Sequence, residues 1–149
     1  MSLGDHLRYL RAMRDVSTTE IAEELGLESS TPVNMAEVRY RPVEDETLIT
    51  QLADYYDRPL EEFHWHNARA RKYLTFYVER AMQQGEPISL TLRGGTVLEG
   101  RPEWWDLVAI GLRPEEGELI VVQRHAVVDW PGATDHWWDE EGEPEREEA

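Results

Sequence analysis

The chain has 149 residues, no cysteine, 15 basic and 31 acidic side chains, and a formal net charge of −16. The lack of cysteine excludes disulfides, thiolate zinc sites and cysteine nucleophiles. The acidic excess disfavours non-specific binding to phosphate backbones. No run of 18 apolar residues occurs, and the first residues carry no basic segment before an apolar stretch, so we expect a cytoplasmic protein with no membrane partner.

The acidic charge is concentrated at the end of the chain. Residues 131–149 carry 1 basic and 8 acidic side chains, whereas the rest of the chain carries 14 and 23. From this charge and from the apolar patterns we predict a helical domain over 1–67, a second domain over 68–130, and a disordered acidic tail over 131–149. Within the tail, Trp137 and Trp138 are either docked on a neighbouring surface or loosely held.

The first domain shows the spacing of short amphipathic helices. Leu3, Leu7 and Leu10 lie on one helical face. Ser17 and Glu20 have the spacing of a capping box, which marks the start of a second helix. Similar apolar patterns predict three more short helices, so the domain is expected to contain five.

In the second domain the apolar period changes from helical to extended. A longer helix is predicted from about residue 68 to Gly85, and Gly94 with Gly95 forms a tight turn between strands. So many short strands in so few residues indicate a small, strongly bent antiparallel barrel, with Gly100 and Gly111 at bends where a side chain would clash. The predicted fold class is therefore α+β. Strands are predicted at 88–92, 96–98, 107–112, 118–123 and 127–130.

The first domain resembles helix-turn-helix domains of the Xre/Cro type. By position, 17–25 corresponds to the first helix of the motif, Gly26 to the turn glycine, and 31–39 to the recognition helix, with Thr31 as its cap. The resemblance implies DNA contact through short polar side chains and flanking arginines, with Asn34 reaching an adenine edge. The candidate DNA-binding residues are Ser29, Ser30, Val33, Asn34, Glu37, Arg39 and Arg41.

The same domain departs from this family at the recognition helix. The helix ends as Ala36–Tyr40 without the usual glycine, and Pro32 replaces a buried aliphatic residue. Residues 1–72 hold 9 basic and 14 acidic side chains, so their net charge is −5 and the arginines release few counterions. A helical module that binds protein partners instead of DNA is therefore the alternative.

The second domain resembles the Hfq/Sm-like family in four ordered motifs. These are the first strand and turn Pro87–Gly95, the second strand Val97–Gly100, the aromatic-aspartate pair Trp105-Asp106, and Arg124–Val127 in place of a Lys-His-Ala-Ile signature. The resemblance implies an N-terminal helix followed by a bent five-stranded sheet. It also implies that the protein assembles with itself into a ring, expected to hold six subunits.

In the Hfq/Sm-like family a basic residue and a histidine line the pore of the ring and meet the phosphate and uracil of U-rich RNA. The resemblance assigns these roles to Arg124 and His125, although a purely structural histidine is the alternative. Leu107 and Val108 stand where the family presents a glutamine and an aromatic, so stacking of about 1–3 kcal/mol per base is missing. The candidate RNA site is Arg124, His125, Leu107 and Val108.

No other chemistry is indicated. His64 and His66 lack a third ligand at helical spacing, so no metal is expected. No nucleophile triad, phosphate loop or paired-carboxylate motif occurs, so we expect neither an enzyme nor a cofactor. We interpret the chain as a ring-forming regulator that binds RNA or DNA in transcriptional or post-transcriptional control. The alternative is an oligomeric scaffold with protein partners, a degenerate helix-turn-helix domain and no nucleic-acid binding.

Overall fold

A computed structural model describes residues 1–135, and the predicted acidic tail lies outside them from residue 136 onward. The fold is α+β, with helices first and a five-stranded antiparallel sheet after them, as the sequence predicts. The helices are α1 (Leu3–Arg14), α2 (Thr18–Glu24), α3 (Thr31–Val38), α4 (Glu46–Tyr55), α5 (Leu60–Asn67) and α6 (Arg71–Gln84). The strands are β1 (Ile88–Leu92), β2 (Val97–Trp105), β3 (Ala109–Arg113), β4 (Ile120–Gln123) and β5 (Val127–Asp129), and a 3-10 turn (Arg124–Ala126) precedes β5.

The starts of the helices follow their capping residues. The predicted capping box is present, because the Ser17 hydroxyl accepts from the amide of Glu20 while the Glu20 carboxylate accepts from the amide of Ser17. Asp45 caps α4 through the amide of Leu48. The prediction that Thr31 caps α3 is wrong. The N-cap position belongs to Ser30, whose side chain makes no capping hydrogen bond.

Helices α1 to α5 form the helical half of the molecule, and they pack around one apolar core. Phe63, Ile21 and Leu52 lie at its centre with at most 1% of their surface exposed. Burying side chains of this size stabilises the fold by about 1.5–3 kcal/mol each. The core also contains Leu3, Leu7, Ala22, Val33, Ala36, Val43, Leu48, Ile49, Ala53 and Tyr56.

The sheet half consists of α6 and the five strands, and β2 organises it. The strand order is β4-β3-β2-β1-β5. The first part of β2, up to Gly100, pairs with β1, and the part from Arg101 onward pairs with β3, so one strand serves both sides of a bent sheet. The sequence predicts an end near Gly100, but β2 continues to Trp105 because a register shift between Pro102 and Trp104 accommodates the proline.

Two glycines of the sheet are required where backbones and side chains approach closely. A Cβ at Gly100 would lie 2.6 Å from the carbonyl oxygen of Arg113, at the point where β2 changes its partner. A Cβ at Gly111 would overlap the indole Nε1 of Trp104, its cross-strand neighbour. Both close approaches agree with the predicted glycine bends.

The sheet and α6 share a second apolar core. Leu90, Ile110 and Leu112 are completely buried in it, and it extends to Ala133, beyond the predicted domain end at 130. Among the described residues, β4 and β5 each pair on one side only, so the sheet has two open edges. No described helix is long and apolar enough to cross a membrane.

The two halves are joined by polar contacts around the start of α6. Arg71 donates to the Asp5 carboxylate at 2.6 Å and to the carbonyl oxygens of Arg39 and Glu37 at 2.8 and 2.9 Å. Arg69 donates to Asp129 at 2.8 Å. Because these contacts connect α1 and α3 to α6 and β5, they fix the orientation of the helical half on the sheet half.

Candidate nucleic-acid interface

A cleft of about 430 Å³ lies where the two halves meet, and we call it the junction cleft. One wall comes from α1 and the end of α3, and the other comes from the β2–β3 loop and the 3-10 turn. It brings together all four residues of the candidate RNA site, and Trp130 also contributes to it. Its lining includes Asp5, Arg8, Val38, Tyr40, Arg69, Arg71, Leu107, Val108, Arg124 and His125.

The β2–β3 loop and the 3-10 turn meet because backbone groups join them. The amide of Arg124 donates to the carbonyl oxygen of Val108 at 2.8 Å. The Asp106 carboxylate accepts from the amides of Val108 and Ala109, both at 2.7 Å, and these hydrogen bonds lower the pKa of Asp106. Held in this way, Leu107 and Val108 remain 67% and 63% exposed. They form an apolar lip of the cleft without an aromatic face.

Arg124 lies in the floor of the cleft and is only 5% exposed. Its guanidinium donates to the carbonyl oxygens of Asp106 and Arg71 at 2.8 and 3.0 Å and to the Thr75 hydroxyl at 2.7 Å. Direct contact of the Arg124 guanidinium with RNA, which the resemblance implies, therefore does not fit this position. Instead, the guanidinium ties α6 to the β2–β3 loop.

Arg124 nevertheless has no carboxylate in direct contact with its guanidinium, although Asp5 and Asp106 lie close enough to act on its charge. All three of its hydrogen-bond acceptors are uncharged, it forms no ion pair within the described part of the chain, and its buried Nε has no partner. Burial lowers the pKa of Arg124, because the charged form loses hydration. A buried cation without an anionic partner is costly, so its field favours an anion in the cleft.

His125 and Arg8 carry exposed side chains at the mouth of the cleft. Neither side chain makes a hydrogen bond or ion pair with any residue between 1 and 135. Both also line an adjoining cavity of about 310 Å³, together with Asp5, Tyr9 and Arg93. Arg8 therefore lies opposite the predicted His125, on a helix that the sequence does not connect with the RNA site.

The residues of the candidate DNA surface are largely engaged in hydrogen bonds within the protein. Ser29 accepts from the amide of Thr31, and Ser30 accepts from the side-chain amide of Asn34 at 3.2 Å. The Arg39 guanidinium donates to the carbonyl oxygen of Pro42 at 2.8 Å. Arg41 is half-buried. Ser29, before α3, and Asn34, on α3, are exposed and Ser30 is half-buried, but the Arg39 guanidinium is engaged within the protein.

Two residues of the candidate reading surface do not belong to it. Val33 is 1% exposed and packs in the helical core. Glu37 is 4% exposed and accepts two hydrogen bonds from Arg11, at 2.8 and 3.0 Å. Their place on the buried face of α3 follows from the helical period, since both lie on the side that meets α1.

Arg8 and Tyr40 were not predicted as site residues from the sequence. Arg8 lies on the side of α1 opposite to its apolar stripe, where any solvated charge would lie, so no pattern distinguishes it. Tyr40 follows α3 and is half-buried, with its backbone oxygen accepting from the amide of Lys72 at 2.9 Å. Both reach the cleft only because the two halves pack together.

Neither histidine of the pair at 64 and 66 forms a metal site. His64 lies against Glu46 at 2.6 Å, and the His66 Nδ1 donates to the carbonyl oxygen of Met1 at 2.9 Å. No group of three metal-ligating side chains occurs among residues 1–135.

Neither the family models nor the curated proteins compared with the chain give a match. A functional assignment therefore depends on the geometry and charge of the cleft.

Proposed function

We propose that the protein is a nucleic-acid-binding regulator in which an Hfq/Sm-like ring carries Xre-like helical domains and takes single-stranded RNA at the junction cleft. The observation that carries this proposal is the charge of that cleft. On a chain with a net charge of −16, the described cleft lining holds four arginines and one carboxylate, Asp5. That carboxylate is already paired with Arg71.

The open edges of the sheet support the ring. Strand β4 exposes an unpaired edge, with Val121 57% exposed, and β5 exposes the other. Unpaired edges are templates for pairing with another chain, and edges on opposite sides of one sheet allow head-to-tail closure. A helix followed by a bent five-stranded antiparallel sheet is also what the family resemblance implies, which supports the proposal.

Single-stranded RNA fits the cleft better than duplex DNA. The cleft is concave and of nucleotide size, and its side chains include apolar surfaces and a tyrosine, which suit an unstacked base. A duplex would instead have to lie on α3 and the two residues before it, where Ser29, Ser30 and Asn34 offer hydrogen bonds but Arg39 is engaged. We therefore place RNA contact in the cleft and treat DNA contact through α3 as secondary.

A scaffold function is the second candidate, and the surface of α3 favours it. Met35 and Val38 are 56% and 62% exposed on this short helix. Exposed apolar side chains on a helix are more suited to a protein partner than to a phosphate backbone. In this alternative the ring displays α3 to other proteins and no nucleic acid is bound.

Binding to three nucleic acids distinguishes the two candidates. Fluorescence anisotropy of the full chain with labelled U-rich RNA, A-rich RNA and mixed duplex DNA, from about 0.05 to 0.3 M salt, is expected to give the highest affinity for U-rich RNA. Light scattering on the same samples is expected to give a closed ring, six chains by the resemblance. No binding to any of the three at the lowest salt would favour the scaffold, and a monomer at micromolar concentration would exclude the ring.

A further inference from the structure

We propose that the helical half completes the RNA site of the sheet half: one nucleotide lies in the junction cleft with its phosphate between Arg8 and His125 and its base against Tyr40. This inference rests on the proposed function, since it names the residues with which the cleft would hold RNA. Arg8 and Tyr40 belong to the helical half, so the sheet half alone would hold an incomplete site.

The phosphate position follows from two side-chain donors that have no partner in the described residues. Arg8 and His125 have no partners within residues 1–135, and both line the junction cleft as well as the adjoining cavity. An exposed guanidinium and an imidazole N–H are suitable donors for a phosphodiester oxygen. Behind them, the charge of Arg124, which has no direct ion pair within residues 1–135, makes the cleft floor more favourable for an anion. Arg124 therefore favours the phosphate through its electrostatic field, whereas Arg8 and His125 contact the phosphate directly.

The charges that would oppose a phosphate are already neutralised. Asp5 is the carboxylate that lines both cavities, and it is 8% exposed with Arg71 at 2.6 Å. Arg69, also in the lining, pairs with Asp129, which is not part of it. The net charge facing the cleft therefore stays positive although the protein as a whole is strongly acidic.

The base position follows from the missing aromatic. Leu107 and Val108 replace the stacking residue expected from the family resemblance, so the β2–β3 loop offers an apolar contact without a π face, and Trp130 of the lining is only 5% exposed. Tyr40 is the tyrosine of the cleft lining, contributed from the other wall, and it is half-buried. A base that stacks on Tyr40 and rests on the apolar lip regains the contact that the sheet half lacks.

The cleft has the size and rigidity that a nucleotide site needs. Its volume of about 430 Å³ falls in the range of small-ligand sites. Its walls are held by the Arg71 and Arg69 contacts, and the Arg93 guanidinium lies 3.7 Å from the ring centroid of Tyr9, which adds a contact between the halves. The two walls are therefore in place before a ligand enters.

Two variants with matched controls test the composite site in the full-length protein. Arg8→Ala removes the free cation, and Arg101→Ala removes an exposed β2 arginine that lies outside the cleft. Tyr40→Leu removes the stacking face, and Tyr55→Leu removes a half-buried α4 tyrosine that lies outside the cleft. Circular dichroism and light scattering check that each variant keeps the fold and assembly of the parent.

The probe is labelled hexauridine, and its affinity is measured at salt concentrations from about 0.05 to 0.3 M. Arg8→Ala is expected to lower the slope of log affinity against log salt by about 0.7, the loss of one single-strand phosphate contact. Tyr40→Leu is expected to weaken binding by roughly 5- to 150-fold, the effect of one stacked base. Both control variants are expected to bind as the parent does.

The outcomes distinguish the composite RNA site from the proposed function on which it rests. If the parent protein binds hexauridine and the two cleft variants bind equally well, the composite site is overturned while the proposed function stands. If the parent binds no RNA, both are overturned. Uridine monophosphate as a competitor tests whether the ligand of the cleft is an RNA strand or a free nucleotide. A strand is expected to compete more strongly, because it engages several subunits of the ring at once. Competition as strong as that of unlabelled hexauridine would overturn the assignment to RNA.

Discussion

The guanidinium of Arg71, at the start of α6, donates to the carboxylate of Asp5 in α1 at 2.6 Å across 66 residues of sequence. Asp5 is 8% exposed, and the same guanidinium also satisfies two carbonyl oxygens at the end of α3. This contact orients the helical half on the sheet half. It also neutralises the carboxylate of the junction cleft, so one arginine serves both the fold and the charge of the site.

Replacing Arg71 with alanine is expected to destabilise the protein by about 3 kcal/mol or more, because it leaves the buried Asp5 carboxylate without its charged partner and two carbonyl oxygens without this donor. The matched control is Arg113→Ala, which breaks an exposed ion pair with Glu103. Exposed pairs contribute about 0–1 kcal/mol. Urea unfolding measures both free energies, and equal small losses would show that the Arg71 contact does not hold the halves together.

Gly111→Ala is expected to destabilise the sheet by about 1–3 kcal/mol, because the new Cβ overlaps the Trp104 indole. In a Trp104→Ala background the same substitution is expected to have little effect, since the obstructing ring is gone. A double-mutant cycle by thermal unfolding measures the coupling. An effect of the same size in both backgrounds would place the strain in the β3 backbone instead.

Local patterns predicted much of the fold, and contacts between the halves account for what they missed. The Ser17 capping box and the turn at Gly94-Gly95 depend on neighbours in sequence and were predicted. The extension of β2 past Pro102 depends on a register shift against β3, which no local pattern reveals. Arg8 reaches the candidate site only through the packing of α1 on the sheet half.

The buried position of Arg124 is a second feature that local sequence patterns do not predict. Its motif predicts that a basic residue precedes the histidine, but whether that residue faces solvent depends on acceptors in α6 and the β2–β3 loop. The four candidate RNA residues do converge, because the backbone of Arg124 is bonded to that of Val108. Motif spacing thus predicted which residues meet, but not which of them are accessible.

The stability of the protein is expected to fall between pH 6.5 and 5 because of a buried histidine pair. The rings of His6 and His66 stack with centroids 3.8 Å apart between α1 and α5. Burial lowers the pKa of both, that of His66 to about 4, while the hydrogen bond from His6 to Glu62 opposes the shift at His6. The unfolded chain therefore binds more protons in this range, so stability rises with pH.

The sign and size of this effect can be measured. The contribution of His66 is complete above its unfolded pKa of 6.5 and is lost as pH falls towards about 4, on the order of 3 kcal/mol in total. His66→Asn can keep a donor to Met1 without titrating, and its urea midpoint is expected to depend less on pH between 7 and 5. An equally steep dependence in His66→Asn would assign the effect to other groups.

Removing residues 136–149 is expected to tighten RNA binding at low salt. This segment, which the structure does not describe, holds seven acidic residues and one arginine, so each chain loses a net charge of −6. Less repulsion of the phosphate backbone raises affinity most at about 0.05 M salt, where screening is weakest. The cut leaves Ala133 in its core. An unchanged affinity at low salt would restrict the segment to a solubilising role.

The position of bound RNA is the most direct test of the account. An oligouridine carrying 4-thiouridine, photocrosslinked to the full-length protein and mapped by peptide mass spectrometry, reports which side chains a base touches. If RNA binds in the junction cleft, crosslinks are expected at the peptides that contain Tyr40 and Leu107-Val108. In the Tyr40→Leu variant, the crosslink at the peptide containing position 40 is expected to disappear. Crosslinks confined to the Ser29–Asn34 surface of α3, or none at all, would contradict RNA binding in the junction cleft.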